Sequence, residues 1–388
     1  MSQGEATWEG KGVSLGQIDA QLQRLWRATD SDWNGDGRRP DIRTSVLNLI
    51  VYAINEDCCE RAQRAIDHLS GTHPSRAVII VPGEGQGELS IDARLSVCSH
   101  GAYAEYRQVC SEQLVLTVHG QASQHLASVI YPLLAPDLPV FLWWPGETPF
   151  HHHLYGQLRD IADRFIVDSS DFASPAHDLV GMAHAVHGSG SVCTFSDFNW
   201  ARLAPWREMV AQFFDQEQFR PHLDQLQALS IECVPTKGSS TYDLPQALLL
   251  SGWLASRLGL HAVERRHHYE LSLANGTRSL DVDIKVAPEA STAPVTIRLQ
   301  TGVGAAQPAQ FKVSLDRASG HVTATAALAG QPPLLHKATM IERDEGQLLF
   351  EELKVFGRDR VYEQALLCAS NMLDPTYHRQ PVKGSLLA

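Results

Sequence analysis

Tryptophan and arginine are concentrated in the segment DFNWARLAPWRE, which begins at Asp197. Arginine stacked on tryptophan forms desolvated patches of the type enriched at binding hot spots, and such a pair can also hold a phosphorylated sugar. A second tryptophan pair ends the apolar run LPVFLWW. Core packing with two surface arginines is the alternative interpretation. The candidate partner- or ligand-binding residues in these two segments are Trp143, Trp144, Asn199, Trp200, Arg202, Trp206 and Arg207.

Two further arginines, Arg43 and Arg76, each precede an apolar run of the kind that forms a buried strand. If the two strands belong to one βαβ unit, both side chains lie at the same edge of the sheet and are candidates for binding an anion. Solvent exposure is the alternative interpretation. We add both residues to the candidate set.

Two segments that could suggest phosphate or metal binding do not fit that chemistry. The glycine-rich segment PGEGQGE (Pro82 to Glu88) carries two glutamates and leads into a predicted strand, whereas a phosphate loop leads into a helix and usually gains a lysine. The consecutive histidines at 151–153 point about 100° apart on a helix, so they cannot all bind one metal ion. No Walker A, HExxH or CxxC sequence occurs. The sequence predicts no catalytic residues, no metal site and no cofactor.

Composition and charge narrow the classes of partner. The chain has 388 residues, 44% of them hydrophobic, and a formal net charge of -12. This acidity argues against nucleic acid or an anionic membrane as a partner, because both need clustered Lys and Arg. The longest apolar stretches, such as Leu244 to Leu254, are shorter than the roughly 20 residues that cross a bilayer. With no signal-peptide pattern and few cysteines, we expect a soluble cytoplasmic protein.

The first two thirds of the chain alternate between strand and helix patterns. The runs RTSVLNLIVYAI and SRAVIIV flank a predicted helix from Asp57 to Leu69 and form a βαβ unit. The segments 91–100 and 110–120 have no helix between them and should pair antiparallel, which makes the sheet mixed. Further helix and strand patterns follow as far as Leu258. We predict an N-terminal α/β domain whose mostly parallel sheet is covered by helices.

After His261 the pattern changes to alternating strands, with Asn275-Gly276 and Ser319-Gly320 between them as hairpin signals. Two helix patterns, 345–356 and 358–373, end the sequence. This part is predicted to be an α+β domain rich in antiparallel strands. The predicted organisation is an N-terminal helix and loop at 1–41, the α/β domain at 42–260 and the α+β domain at 261–388.

At the level of whole segments, the chain resembles the bacterial OpcA family of glucose-6-phosphate dehydrogenase assembly proteins. The resemblance rests on segments that occur in family order: RTSVLNLIVY, HPSRAVIIVP, VCSEQLVLTVHG, HLASVIYPLLAPDLPVFLWWPG, DRFIVDSSDF, FNWARLAPWREMVAQFFD and ALLLSGWLASRLG. It implies a non-catalytic effector, an allosteric activator that binds glucose-6-phosphate dehydrogenase and promotes its assembly or activity in the oxidative pentose phosphate pathway. The alternative is a sugar-phosphate-binding enzyme or transferase-like protein with an unrecognised active site.

Redox control is a further question that the resemblance raises. Some photosynthetic members of the family respond to thioredoxin through closely spaced cysteines near the carboxyl terminus. Here Cys368 stands alone in that region. Cys98 and Cys110 lie on the predicted hairpin, where the register decides whether they face each other. We therefore expect activation that does not depend on a disulfide.

Overall fold

The computed structural model describes residues 4–31, 45–69, 73–83, 90–100, 109–120, 125–187, 193–233, 244–267, 270–286, 295–302, 308–316 and 319–374. The chain divides into two compact units. Unit 1 comprises 1–168, 191–198 and 344–358, and unit 2 comprises 169–190, 199–343 and 359–388. Each unit contains an eight-stranded sheet, one mostly parallel and the other mostly antiparallel. The predicted fold class is confirmed.

Strands and helices are numbered separately in chain order. The strands are β1 (Gly4–Gly10), β2 (Leu47–Tyr52), β3 (Ser75–Pro82), β4 (Ser90–His100), β5 (Val109–His119), β6 (Val140–Trp143), β7 (Arg164–Val167), β8 (Thr194–Asp197), β9 (Leu226–Cys233), β10 (His261–His267), β11 (Glu270–Ala274), β12 (Ser279–Val286), β13 (Val295–Thr301), β14 (Ala309–Asp316), β15 (His321–Leu328) and β16 (Leu334–Thr339). The helices are α1 (Leu15–Ser31), α2 (Glu56–Leu69), α3 (Leu126–Ile130), α4 (Tyr155–Arg159), α5 (Pro175–His187), α6 (Phe198–Arg202), α7 (Ala204–Asp215), α8 (Arg220–Leu223), α9 (Leu244–Leu258), α10 (Glu345–Glu352) and α11 (Arg360–Leu373).

The sheet of unit 1 has the order β1-β4-β5-β3-β2-β6-β7-β8. β4 pairs antiparallel with β1 and β5, and the remaining pairings are parallel. Every residue of β2 is buried, as expected for a central strand covered on both faces. The six parallel strands follow the order of the doubly wound dinucleotide-binding folds, with β2 and β6 on either side of the point where the chain reverses direction across the sheet.

Helix α1 of unit 1 begins at a side-chain cap and buries one of its faces. Ser14 and Gln17 form a capping box before α1: the Ser14 amide donates to Gln17 Oε1 at 2.8 Å, and the Gln17 amide donates to Ser14 Oγ at 3.3 Å. Ile18, Leu22 and Trp26 then bury one face of α1. None of the described helices is long and apolar enough to cross a membrane.

The sheet of unit 2 has the order β10-β11-β12-β9-β13-β14-β15-β16. Only the β12–β9 pairing is parallel. The predicted hairpins at Asn275-Gly276 and Ser319-Gly320 are confirmed, because these residues join β11 to β12 and β14 to β15. Gly276 has φ +86 and Gly320 has φ +66, values that favour glycine over any L residue.

Several elements differ from the sequence interpretation. β1, β8 and β16 were not predicted, because β1 is polar, β8 has only four residues and every residue of β16 is exposed. β9 lies in the middle of the unit 2 sheet, although its residues fall within the range 42–260 that the sequence assigns to the α/β domain. The ranges 1–41, 42–260 and 261–388 remain a prediction about independently folding domains.

Candidate functional site

The predicted tryptophan–arginine patch contains one stacked pair in unit 2, Arg207 on Trp200. The Arg207 Cζ lies 3.4 Å from the centroid of the Trp200 ring, and Arg207 Nη2 donates to the Trp200 carbonyl at 3.4 Å. The sequence places them here because α6 ends before Pro205, and α7 then brings Arg207 back over the last turn of α6. The pair is the cation–π arrangement expected from the composition.

Asp359, which the sequence interpretation did not include, completes this stack. Trp200 Nε1 donates to Asp359 Oδ2 at 2.9 Å, and the Tyr362 amide donates to Asp359 Oδ1 at 2.9 Å. Asp359 is thus the N-cap of α11, a role that an aspartate directly before a helical pattern could have signalled. Burial lowers the pKa of Arg207 to about 10, and the Asp359 carboxylate acts in the opposite direction. Hydrogen bonding through Asp359 thus holds the Trp200–Arg207 stack beside the start of α11.

The other members of the segment point mainly to packing. Asn199 is buried, donates to Ser169 Oγ at 3.1 Å and accepts from Gln246 Nε2 at 2.7 Å, so its amide is used inside unit 2. Trp206 is buried on α7. Arg202 is half-buried, and its Nη1 donates to Ser170 Oγ at 3.4 Å. Among the candidate residues of this segment, Arg202 and Arg207 are half-buried and the others are buried.

Trp143 and Trp144 belong to the core of unit 1. Both are at most 1% exposed. Trp143 lies 5.5 Å from Phe198 between ring centroids, and its Nε1 makes no hydrogen bond with any described residue. Direct contact of either tryptophan with a partner remains a prediction, and the burial of both side chains disfavours it.

Arg76 has an internal partner. Its Nε donates to Glu112, which is fully buried and also accepts a hydrogen bond from Trp26 Nε1. Arg76 Nη1 donates to the Leu133 carbonyl at 2.9 Å. The arginine therefore neutralises a buried carboxylate, which is a structural role. Arg43 lies outside the described residues, and an anion site formed by Arg43 and Arg76 stays a prediction.

The strand order of unit 1 places a potential ligand crevice at the carboxyl ends of β2 and β6. Aromatic side chains fill this position. The ring centroid of Trp144 lies 4.4 Å from that of Tyr52, the last residue of β2, and 5.1 Å from that of His152. The ring centroids of Tyr52 and His152 are 5.4 Å apart. Burial lowers the pKa of His152, and the neighbouring His153 adds to this effect.

The turn from β2 into α2 also differs from a dinucleotide-binding turn. Residues 53–57 contain no glycine, and the first turn of α2 carries Glu56 and Asp57. The Cys58 amide already donates to Asn55 Oδ1 at 2.9 Å, so the helix terminus is capped by the protein. Gly146 lies close against this turn, because a Cβ atom at Gly146 would be 3.1 Å from Cys58 Sγ and 3.3 Å from Ile54 Cδ1. These residues do not fit a dinucleotide, because the crevice is filled and two carboxylates stand where the pyrophosphate would bind.

The cysteines with described side chains contain no disulfide. They are Cys58, Cys59, Cys193, Cys233 and Cys368. Burial raises the pKa of Cys59 to about 11 and that of Cys193 to about 12, so both thiols are poor nucleophiles at neutral pH. In the β4–β5 pairing, Cys98 lies opposite Ser111 and Cys110 opposite Ser99, so these two cysteines are not direct partners across the hairpin.

Fold and site together define a two-unit α/β protein whose dinucleotide crevice is filled by its own side chains. Two protein-family models match this chain, and both are described as parts of a glucose-6-phosphate dehydrogenase subunit. The model of its N-terminal domain matches residues 66–184, and the model of its C-terminal domain matches residues 193–366. The chain belongs to the OpcA family of glucose-6-phosphate dehydrogenase assembly proteins, as the sequence segments predicted.

Curated relatives carry the same family name. A protein of Synechocystis sp. (strain ATCC 27184 / PCC 6803 / Kazusa), provisionally named OxPP cycle protein OpcA, is 28% identical over 312 residues, which are 77% of this chain and 64% of that protein. A Nostoc punctiforme protein with the same provisional name is 26% identical over 322 residues, or 80% of this chain and 67% of that protein. The chain thus spans about two thirds of the length of these relatives. A solved Bacteroides fragilis structure, provisionally described as an oxidoreductase, matches 86% of this chain and 97% of its own at 11% identity, but its TM-score of 0.40 is too low to infer a common fold.

Proposed function

We propose that this protein is a non-catalytic effector that binds glucose-6-phosphate dehydrogenase in the cytoplasm and promotes its assembly or activity. The observation that carries the proposal is the family match: two models described as domains of a glucose-6-phosphate dehydrogenase subunit match residues 66–184 and 193–366. The names of the relatives assign them to the OxPP cycle, and glucose-6-phosphate dehydrogenase is the first enzyme of the oxidative pentose phosphate pathway. The role is therefore one of association with the enzyme.

The filled crevice of unit 1 supports the non-catalytic part of the proposal. A dehydrogenase of this strand order needs an open crevice and an uncharged, glycine-rich turn for its dinucleotide. Here Tyr52 and Trp144 occupy the crevice, and Glu56 and Asp57 repel a phosphate. An effector that has this fold but no cofactor site acts by binding its partner and does not catalyse a reaction itself.

Binding is tested by mixing the purified chain with the glucose-6-phosphate dehydrogenase of the same organism at micromolar concentrations. We expect the two to co-elute on size-exclusion chromatography with light scattering, and the mass to rise above that of either protein alone. An unrelated acidic protein of similar size controls for non-specific association. The chain alone should not reduce NADP⁺ in the presence of glucose-6-phosphate.

Two results would reject the proposal. If the two proteins elute separately at every ratio and the mass of the enzyme is unchanged, glucose-6-phosphate dehydrogenase is not the binding partner. Turnover of glucose-6-phosphate by the isolated chain, abolished by changes at Tyr52 or Trp144, would assign it catalysis instead.

A further inference from the structure

Among the described residues, one face of the unit 2 sheet is apolar and buried, and the other is polar and partly exposed; we call the second the open face. Phe213 and Phe214 of α7 pack on Phe311 of β14, with ring centroids 5.3 and 4.9 Å apart, so the Phe311 side of the sheet is the buried one. Residues that alternate with Phe311 lie on the opposite side. There Gln310 is exposed, and Lys312 and Ser314 are half-buried. The open face is therefore polar where β14 crosses it.

One row of residues crosses the open face at right angles to the strands. The pairings place Glu270 opposite Asp283, Asp283 opposite Ser230, Ser230 opposite Arg298 and Arg298 opposite Lys312. The row therefore runs through β11, β12, β9, β13 and β14 in spatial order. Two acidic residues lie on one side of Ser230, and two basic residues lie on the other side at the same number of strand steps.

A charge row of this kind is complementary to itself. Rotating a second copy by 180° about an axis along β9 lays β12 over β13 and β11 over β14. Asp283 of one copy then faces Arg298 of the other, Glu270 faces Lys312, and the small Ser230 lies on the axis. We propose that the open face of the unit 2 sheet is an interface between two copies of this chain, related by this twofold axis.

The neighbouring rows are compatible with the same axis. Asp281, Ala228 and Gln300 lie side by side in the next row, so Asp281 of one copy faces the Gln300 amide of the other. In the row on the other side, Glu232 lies on the axis, where two copies of it would approach each other. Within one chain, Arg298 Nη1 donates to Glu232 Oε1 at 2.7 Å, and Lys285 Nζ lies 3.0 Å from Asp283 Oδ2. The facing charges that are not already in such an intrachain ion pair are therefore Glu270 and Lys312.

The overlap covers the seven strands from β10 to β15, and β16 projects beyond it. Seven strands about 4.8 Å apart and about five residues long give roughly 570 Å² per copy, near the lower limit for a specific interface. Packed sheets lie about 10 Å apart, a gap that Arg or Lys facing Asp or Glu spans. The dimer should therefore be of micromolar affinity and weaken as salt is added.

The test is a charge exchange at Glu270 and Lys312, measured by sedimentation velocity of the whole chain from about 1 to 100 μM. Neither side chain takes part in an ion pair that the exchange would break in the described sheet. Lys312→Glu and Glu270→Lys should each raise the dimer dissociation constant at least about tenfold, since like charges then face each other. The double exchange should restore the dimer to within about threefold of the parent.

Lys337→Glu is the matched control, because Lys337 is an exposed lysine of the same open face on β16, outside the overlap. We expect its dissociation constant to stay within about twofold of the parent. Circular dichroism melts verify that all variants fold. A parent chain that remains monomeric at the highest concentration would overturn the proposal, as would a double exchange no tighter than the single variants. Variants that lose dehydrogenase binding while the parent stays monomeric would assign the face to the enzyme and also overturn it.

Discussion

Trp144→Ala tests whether the filled crevice of unit 1 is a structural core. Trp144 is 1% exposed and lies against Tyr52, His152 and Phe165, the last at 6.2 Å between ring centroids. Truncating a buried tryptophan costs about 3–5 kcal/mol of the free energy of unfolding. The ring contacts with Tyr52 and Phe165 each add roughly 0.5–1.5 kcal/mol beyond buried area, so we expect a loss near the upper limit, about 4–5 kcal/mol.

The assay is urea unfolding followed by far-ultraviolet circular dichroism, because removing a tryptophan alters the fluorescence signal itself. Tyr131→Ala is the matched control, since Tyr131 is 71% exposed and its truncation should change the free energy of unfolding by no more than about 0.5 kcal/mol. Titration calorimetry with NADP⁺ should give no heat of binding for the parent or the Trp144→Ala variant, because Glu56 and Asp57 remain at the helix terminus. A loss below about 1 kcal/mol for Trp144→Ala, or NADP⁺ binding by the parent, would refute the assignment of a filled crevice.

Three further outcomes are expected. If the arginines contact the dehydrogenase, Arg207→Ala should weaken binding by about 2 kcal/mol or more in titration calorimetry, and parent-like affinity of folded Arg202→Ala and Arg207→Ala variants would assign both residues to packing. Reduced thioredoxin should leave activation unchanged, since burial raises the pKa of Cys368; a response that disappears in Cys368→Ser would contradict this. Because burial lowers the pKa of His152, the unfolded chain binds a proton first as pH falls below the ordinary value of 6.5. Stability should therefore decrease as the pH is lowered below about 6.5, and it should decrease less in His152→Gln; equal losses in urea unfolding would refute this.

Features that depend on residues a few positions apart are the ones a sequence can indicate. The Asn275-Gly276 hairpin was predicted and is found in the structure, and the capping box at Ser14 and the break at Pro205 between α6 and α7 have the same local origin. Hydrophobic period likewise located α9 and α11. Such features follow from backbone chemistry that acts within one turn or one strand.

Features that depend on distant residues could not be predicted from one sequence. β9 pairs with β12 and β13 across the sheet, which no local pattern indicates. The partner of Arg76, Glu112, lies 36 positions away in the sequence, so it could not be foreseen and Arg76 was proposed to bind an external anion. The contact between Trp200 and Asp359 likewise spans 159 positions. The sequence identified the residue types able to stack and bind, but their burial follows from tertiary packing.

The central claim is that the protein acts on glucose-6-phosphate dehydrogenase by association, and one titration tests it most directly. Purified dehydrogenase is assayed for NADP⁺ reduction over a range of glucose-6-phosphate concentrations while the chain is added from zero to a molar excess. We predict a saturable rise in kcat/KM that reaches a plateau near a fixed ratio of the two proteins, with no rate from the chain alone. Unchanged kinetics at every ratio, with no complex formed, would contradict it.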